Sequence, residues 1–341
     1  VASHRRPKQP SRTRVTVLTA TAAAAVALTS QAAQADPAPS KSEVKEKVDK
    51  LYEEAEKATE KYNGAKEQQT KLDKQIDALQ DKVARGQDEL NTLRDGLGSV
   101  ASAQYRSGGI DPAVQLFLSA DPDSYLDKAS ALDQLGAKQT EALTEIQAKQ
   151  RTLAQQRKEA QSKLGDLADT RKELGEKKKE VQTKLVAAQK LLNSLTAQER
   201  AALSADESRA NRASSRADLG NAVPASQRAS AAFSAAQSKI GSPYVYGASG
   251  PNSFDCSGLT SWAYAQAGVS IPRTSQSQAN AGTRIYSQSA LQQGDLVIFY
   301  GDQHHVGFYA GNGQVLHAPK PGASVRYESI NNMPFQFGVR I

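Results

Sequence analysis

An apolar seam with a seven-residue repeat restricts this chain more than any other feature of its sequence. Stepping alternately four and three residues from Val44, it passes through Val48, Leu51, Ala55, Ala58 and Tyr62 and continues to Leu93, Leu97 and Val100. Fifteen of its seventeen positions are apolar, and the residues between them are largely Lys, Glu, Asp and Gln. A seam kept over that many heptads is the signature of a coiled coil. The same stepping from Ile146 through Leu153, Ala160, Leu164, Leu167, Leu174, Val181, Leu185, Leu192 and Leu195 gives a second arm. Gln150, Arg157, Arg171 and Lys178 fall on this second seam, where their stems are expected to lie along the stripe with polar ends in water. Between the arms, Gly108-Gly109, Asp111-Pro112 and Asp121-Pro122 interrupt the pattern, since such pairs end helices. A helical turn is expected over Ala113–Leu118, with the second arm starting near Ser124. The pattern therefore predicts an antiparallel helical hairpin over 36–203 with its tip at about 105–124, serving as a docking arm, a gate or a spacer.

Charge narrows the function classes. The formal net charge is +7, but residues 41–200 carry 28 basic and 28 acidic side chains, while residues 1–40 carry five basic against one acidic. No region predicted to fold is strongly basic, which removes the footing for nucleic-acid binding. The basic start, Arg5, Arg6, Lys8, Arg12 and Arg14, precedes the apolar stretch Val15–Leu28, and Ala33-Gln34-Ala35 follows. That order describes a secretory signal peptide over 1–35. The apolar stretch is too short for a spanning helix, which needs ~20 residues. The expectation is a secreted, extracellular or cell-wall-associated protein that does not span the membrane after cleavage.

Residues 204–229, rich in Ser, Ala, Arg and Asn with Pro224, read as a flexible linker with helix fraying into its start. From about residue 230 to 341, Gly, aromatic and β-branched residues take over, and nearly all the remaining chemistry lies there. The sole Cys, Cys256, stands in Ser253-Phe254-Asp255-Cys256-Ser257-Gly258-Leu259, followed at helical spacing by Trp262, Ala263 and Ala267, with Gly268 to close. A helix over about Cys256–Ala267 puts the thiol in the first turn, where the macrodipole favours an anion and lowers a thiol pKa. A lone Cys is more often a small hydrophobe; an unpaired thiol at a polar helix start favours a nucleophile.

A thiolate needs a base in reach and a third group to orient that base. Asp295–Tyr300, His305–Gly311 and Gln314–Pro319 read as successive antiparallel strands, with Gly311-Asn312-Gly313 as the hairpin turn. A two-residue turn would set His317 opposite Phe308 and put His305 on the other face. An odd offset, by loop or bulge, sets His317 opposite Gly307 and makes His305 its diagonal neighbour, within ~7–8 Å at Cβ. His304 would then point away and is expected at the surface. Three histidines also raise zinc, but no compactly spaced carboxylate or further His accompanies them, and using the sole Cys as a ligand would remove the nucleophile. Neither metal nor cofactor is expected.

These segments, taken in order, resemble the NlpC-type cell-wall cysteine peptidases: Gly241-Ser242-Pro243-Tyr244-Val245-Tyr246-Gly247, then Phe254-Asp255-Cys256-Ser257-Gly258-Leu259, Ile271-Pro272-Arg273-Thr274-Ser275, Gly294-Asp295-Leu296-Val297, His305-Val306-Gly307-Phe308-Tyr309 and His317-Ala318-Pro319. The resemblance covers roughly residues 230–341. It implies an α+β, papain-like domain in which a helix bearing the Cys packs on an antiparallel sheet bearing both His. It implies peptidoglycan stem peptides as substrate, cut between D-isoglutamate and the diamino acid. It assigns Cys256 as nucleophile, His305 as general base then acid, His317 as the residue orienting His305, and Tyr244 near the oxyanion beside the Cys256 N–H. Asp255 and Ser257 would border the substrate; Asp255 reads equally as a helix cap. Arg273 would meet a substrate carboxylate, or else pair with Asp302 or Glu328.

The arm is similar to helical hairpins on some secreted members, which occlude the site until a membrane-bound division or cell-wall complex engages them. Removing residues 41–200 is then expected to leave cleavage intact or raise it. A non-catalytic cell-wall scaffold and a thiol acyltransferase or amidase on the same fold are the alternative readings.

Overall fold

The structure is a computed structural model that describes residues 40–106, 114, 117–118, 125–214 and 216–341. The expected signal peptide and most of the hairpin tip lie outside the described residues. Helix α1 (Lys41–Arg106) and helix α2 (Tyr125–Ser194) form the arm. At 1.5 Å per residue, the 66 residues of α1 reach about 100 Å. The helices run antiparallel: Val44 and Val48 pack with Ala188 and Leu195, Leu72 and Ile76 with Leu167, and Leu90 with Ile146 and Leu153.

The first seam lies where the heptads put it. In the second arm, every other position differs. Gln150, Arg157, Arg171 and Lys178 are exposed, and so is Leu164, at 50%. Their neighbours Lys149, Gln156, Lys163, Thr170 and Lys177 turn toward α1 instead. The seam from Ile146 thus steps three then four, not four then three. Long polar side chains along this seam bond the other helix: Lys184 reaches Glu54 (2.6 Å), Lys149 pairs with Glu89, and the exposed Arg157 donates to Gln87 at 2.7 Å.

The expected linker is largely ordered against its neighbours. Helix α3 (Ala197–Ser214) carries Glu207 and Asn211, which accept from Arg326 at 2.7 and 2.9 Å, and the Ser214 hydroxyl accepts from the Tyr327 N–H at 2.6 Å. Leu219 packs on the core of the C-terminal domain, and Pro224 bridges to Gln293. Those fastenings, which serine- and alanine-rich composition did not reveal, replace the flexible tether.

The C-terminal domain is α+β, as expected. Helices α4 (Gln227–Gln237), α5 (Cys256–Gln266) and the short α6 (Ser275–Gln278) accompany a six-stranded sheet. Its strands are β1 (Thr283–Ile285), β2 (Leu296–Phe299), β3 (His305–Gly311), β4 (Gln314–His317), β5 (Arg326–Ser329) and β6 (Phe335–Arg340), in the antiparallel order β1-β6-β2-β3-β4-β5. Strand alternation sorts the core. Leu296, Ile298, Val306 and Phe308 meet α4 and α5, with Phe308 against Phe233 and stacked on Tyr264. Val297, Phe299 and Val315 face a smaller cluster with Ile330 and Leu291.

The corrected seam has a direct check. Leu167→Ala should lower the stability of the helical arm by about 2–5 kcal/mol, whereas Leu164→Ala should change it by no more than ~0.5 kcal/mol, both read from denaturant midpoints of the helical signal.

Candidate active site

Cys256 is the first residue of α5, and Asp255 caps that helix by accepting from the Gly258 N–H at 2.6 Å. Gly258 is required by close approach: a Cβ there would fall 2.1 Å from the Ala248 carbonyl oxygen. The β3–β4 register supplies the odd offset. Phe308 pairs with Leu316 and Tyr309 with Val315, then a bulge before Gly311 shifts the ladder, so that the same offset sets His317 opposite Gly307. A Cβ at Gly307 would come 2.9 Å from the His317 Cβ, so the glycine clears space behind the imidazoles. His305 Nε2 and His317 Nδ1 are 2.7 Å apart, with the rings perpendicular. His305, His317 and Cys256 are all buried.

Beyond that set, the structure brings in residues that the sequence reading left on a solvated face. Asp49, Tyr52, Glu56, Glu60 and Asn63 recur on α1 at spacings of three and four, so they share one face, and that face lies on the C-terminal domain. The Glu56 carboxylate is 2.6 Å from His305 Nδ1. Glu60 accepts from the Ser257 hydroxyl (2.6 Å) and from both the N–H (2.6 Å) and hydroxyl (3.0 Å) of Ser275. The Asn63 amide donates to Asp255 at 3.1 Å, and the Tyr246 hydroxyl donates to the Tyr52 carbonyl at 3.0 Å. Glu56, Thr59, Glu60 and Asn63 are all buried. No sequence signal separated this face from a solvated one, because Ala55 and Ala58 are already accounted for by the heptad seam.

Burial and charge oppose each other here. Burial alone would lower the His305 pKa, but the Glu56 carboxylate overrides it and raises it; reciprocally, His305 holds Glu56 low against its own burial. His305 thus turns Nδ1 to Glu56 and shares its other ring nitrogen, Nε2, in a hydrogen bond with His317. Burial lowers the His317 pKa against the opposing pull of Glu328, whose carboxylate lies 3.7 Å from Nε2. Arg326 donates to Glu328 at 2.7 Å, and His317 and Arg326 hold that carboxyl well below the usual range despite burial.

Burial, then Glu56, Glu60 and Asp255, push the Cys256 thiol well above its ordinary value. The thiolate expected from helix position alone is thus opposed, because burial first and three nearby carboxylates second outweigh one helix end. The thiol donates weakly to the His304 carbonyl at 3.8 Å.

The other expected residues fall as follows. Tyr244 is buried against Tyr246 at 5.1 Å, and burial followed by Glu56 and Cys256 raises its pKa. Arg273 pairs with neither Asp302 nor Glu328; it donates to Asp255 at 2.6 Å and to the Ser257 hydroxyl at 2.7 Å. His304 is buried rather than at the surface, because the turn between β2 and β3 stacks it on Tyr300 (4.2 Å) and against Asp302.

Residues 241–339 match the NlpC/P60 family. The C-terminal unit is an NlpC/P60 domain. It is 52% identical over 124 residues to a probable endopeptidase of Corynebacterium glutamicum, covering 36% of this chain and 59% of that relative. A probable endopeptidase of Mycobacterium tuberculosis is 43% identical over 96 residues, covering 28% of this chain and 25% of the relative. The crystal structure of the NlpC/P60 domain of the peptidoglycan hydrolase SagA is 36% identical, covering 33% of this chain and 98% of that one, with a TM-score of 0.31. The chain thus spans little more than half of the first curated relative, and the family match covers residues 241–339. The arm lies outside it.

Glu60 provides a pH test. Burial and the Asp255 charge raise its pKa from 4.5 to about 7, against the Ser257 and Ser275 donors and the Arg273 charge. A proton held more tightly when folded stabilises the closed protein fully below about pH 4.5, and that contribution is lost as pH rises through about 7. The melting temperature of Glu60→Gln should therefore gain on that of the wild type between pH 5 and 8; a constant difference would remove Glu60 from the pH response.

Proposed function

We propose that the chain is an exported cysteine endopeptidase that cleaves peptidoglycan stem peptides and is held shut by its own arm. The observation carrying this reading is the convergence of Cys256, His305 and His317 in an NlpC/P60 domain with Glu56 of α1 seated against His305. Relatives named as probable endopeptidases support the reaction class. The bond proposed for cleavage joins D-isoglutamate to the diamino acid.

Once Glu56 withdraws and the Nδ1 proton it shared with His305 passes to solvent, Nδ1 takes the Cys256 proton, with Nε2–H donated to His317. The thiolate attacks the peptide carbonyl, and the Cys256 N–H and Tyr244 hydroxyl stabilise the tetrahedral oxyanion, each such donor being worth ~10²–10³ in rate. His305 then protonates the leaving amine, and water activated by the same imidazole hydrolyses the thioester. Ser257, Asp255 and Arg273 border the seat of the Glu60 carboxylate, and a carboxylate of the stem peptide takes that seat in the open enzyme.

The arm accounts for regulation. Its Glu56 and Glu60 side chains fill the site, while Tyr105, Phe117 and Leu118 stand exposed near its opposite end. A membrane-bound division or cell-wall complex gripping the hairpin would draw α1 off the site. Among the described residues, no helix is long and apolar enough to cross a membrane.

Purified full-length protein incubated with defined muropeptides, with products read by mass, tests the reading. Low cleavage that rises at least tenfold in Glu56→Ala and vanishes on adding Cys256→Ala is expected. Transfer of the acyl group to an amine would favour the acyltransferase, and no turnover in the presence of an intact, opened site would favour the scaffold.

A further inference from the structure

Glu56, Cys256 and His305 are buried, and one ligand atom from each lies within 4.8 Å of the other two. We propose that these three side chains bind one Zn²⁺ ion when the arm is closed, so that the metal fastens α1 to the NlpC/P60 domain. This inference stands on the contact between arm and domain, not on the peptidase reading.

The donors are a thiolate, an imidazole and a carboxylate, each a side chain that zinc takes as a ligand, and three of them leave a fourth position for water. Zinc bonds of ~2.0–2.3 Å in a tetrahedron put ligand atoms roughly 3.3–3.8 Å apart. The Glu56 oxygen and His305 Nδ1, now at 2.6 Å, would part by about 1 Å, within reach of side-chain rotation. A ligating imidazole is held by an outer partner on its other nitrogen. His305 already has that partner: Nε2 is 2.7 Å from His317 Nδ1, and Glu328 backs His317.

Charge also balances: binding exchanges the thiol proton and the proton between Glu56 and His305 for Zn²⁺, whose two charges match one thiolate and one carboxylate, so no uncompensated charge is created. A cleft of about 480 Å³, lined by Glu46, Asp49, Glu53, Lys50, Lys320 and Tyr244 among others, reaches Glu56 and gives an ion a route to it. Among the described residues, no other group of three such ligands comes this close together. No spacing pattern announces this set, because the third ligand comes from the distant arm.

The test uses the full-length protein stripped of metal by a chelator. Calorimetric titration with ZnCl₂ in buffers of differing ionisation heat should give one equivalent bound and about two protons released. Titration with CoCl₂ should produce a sulfur-to-cobalt charge-transfer band. Cys256→Ser should abolish the band, and Glu56→Ala should weaken zinc binding at least tenfold while circular dichroism stays unchanged. Absence of stoichiometric binding at micromolar zinc overturns the proposal. So does binding without the band, which would place the ion on surface carboxylates, or undiminished affinity in Glu56→Ala, which would leave the arm out. Muropeptide cleavage by the metal-free protein reports separately on the peptidase reading.

Discussion

A carboxylate of the arm lies 2.6 Å from the imidazole nitrogen available to Cys256, and the state of the site follows from that contact. Two ions taken out of water are costly unless each is satisfied, and removing one partner leaves the other uncompensated. Here Glu56 satisfies His305, His305 satisfies His317, and Glu328 with Arg326 closes the series. The same contact keeps the thiol protonated, because the base is occupied and the added negative charge opposes a thiolate. The closure we propose is thereby built from the groups that the proposed reaction needs, with one carboxylate of the arm set among them.

What holds that carboxylate in place extends well beyond the site. Lys320 ties Asp49 of α1 at 2.7 Å and Glu207 of α3 at 3.4 Å, and Glu207 in turn holds Arg326 at 2.7 Å. Arg326 reaches Glu328 beside His317. The arm, the segment after it and the histidine pair thus share one run of charge contacts. A pull on α1 that parts Asp49 from Lys320 acts on the same helix that carries Glu56 and Glu60, two to three turns away. A stiff rod of about 100 Å is suited to deliver such a pull, since a helix transmits displacement along its axis without spending it in bending.

Much of this was legible in sequence, for identifiable reasons. The first arm's seam was readable because its positions are consistently apolar. The second was misplaced by one residue at alternate positions because Leu164 offered a false step and the true contacts are Lys, Gln and Thr. The cysteine helix showed through its Asp255 cap and small residues, and the histidine register through the need for an odd hairpin offset. His304 was misjudged, since strand alternation does not foresee a tight turn that folds the ring back on Tyr300. Glu56, Glu60 and Asn63 were invisible for a deeper reason: a charged helix face looks solvated until the surface that covers it is known, and that surface lies far along the chain.

Cys256 is the sole thiol, so its alkylation rate reports directly on whether α1 covers the site. With native full-length protein at pH 7, iodoacetamide should react about 100-fold or more slowly than with the denatured chain, as expected if access requires an opening that costs ~3 kcal/mol or more. Glu56→Ala should recover much of that factor. Rapid modification of the native chain, at the rate of an exposed low-pKa thiolate, would mean that the arm does not close the site, and the account built on Glu56 would fail.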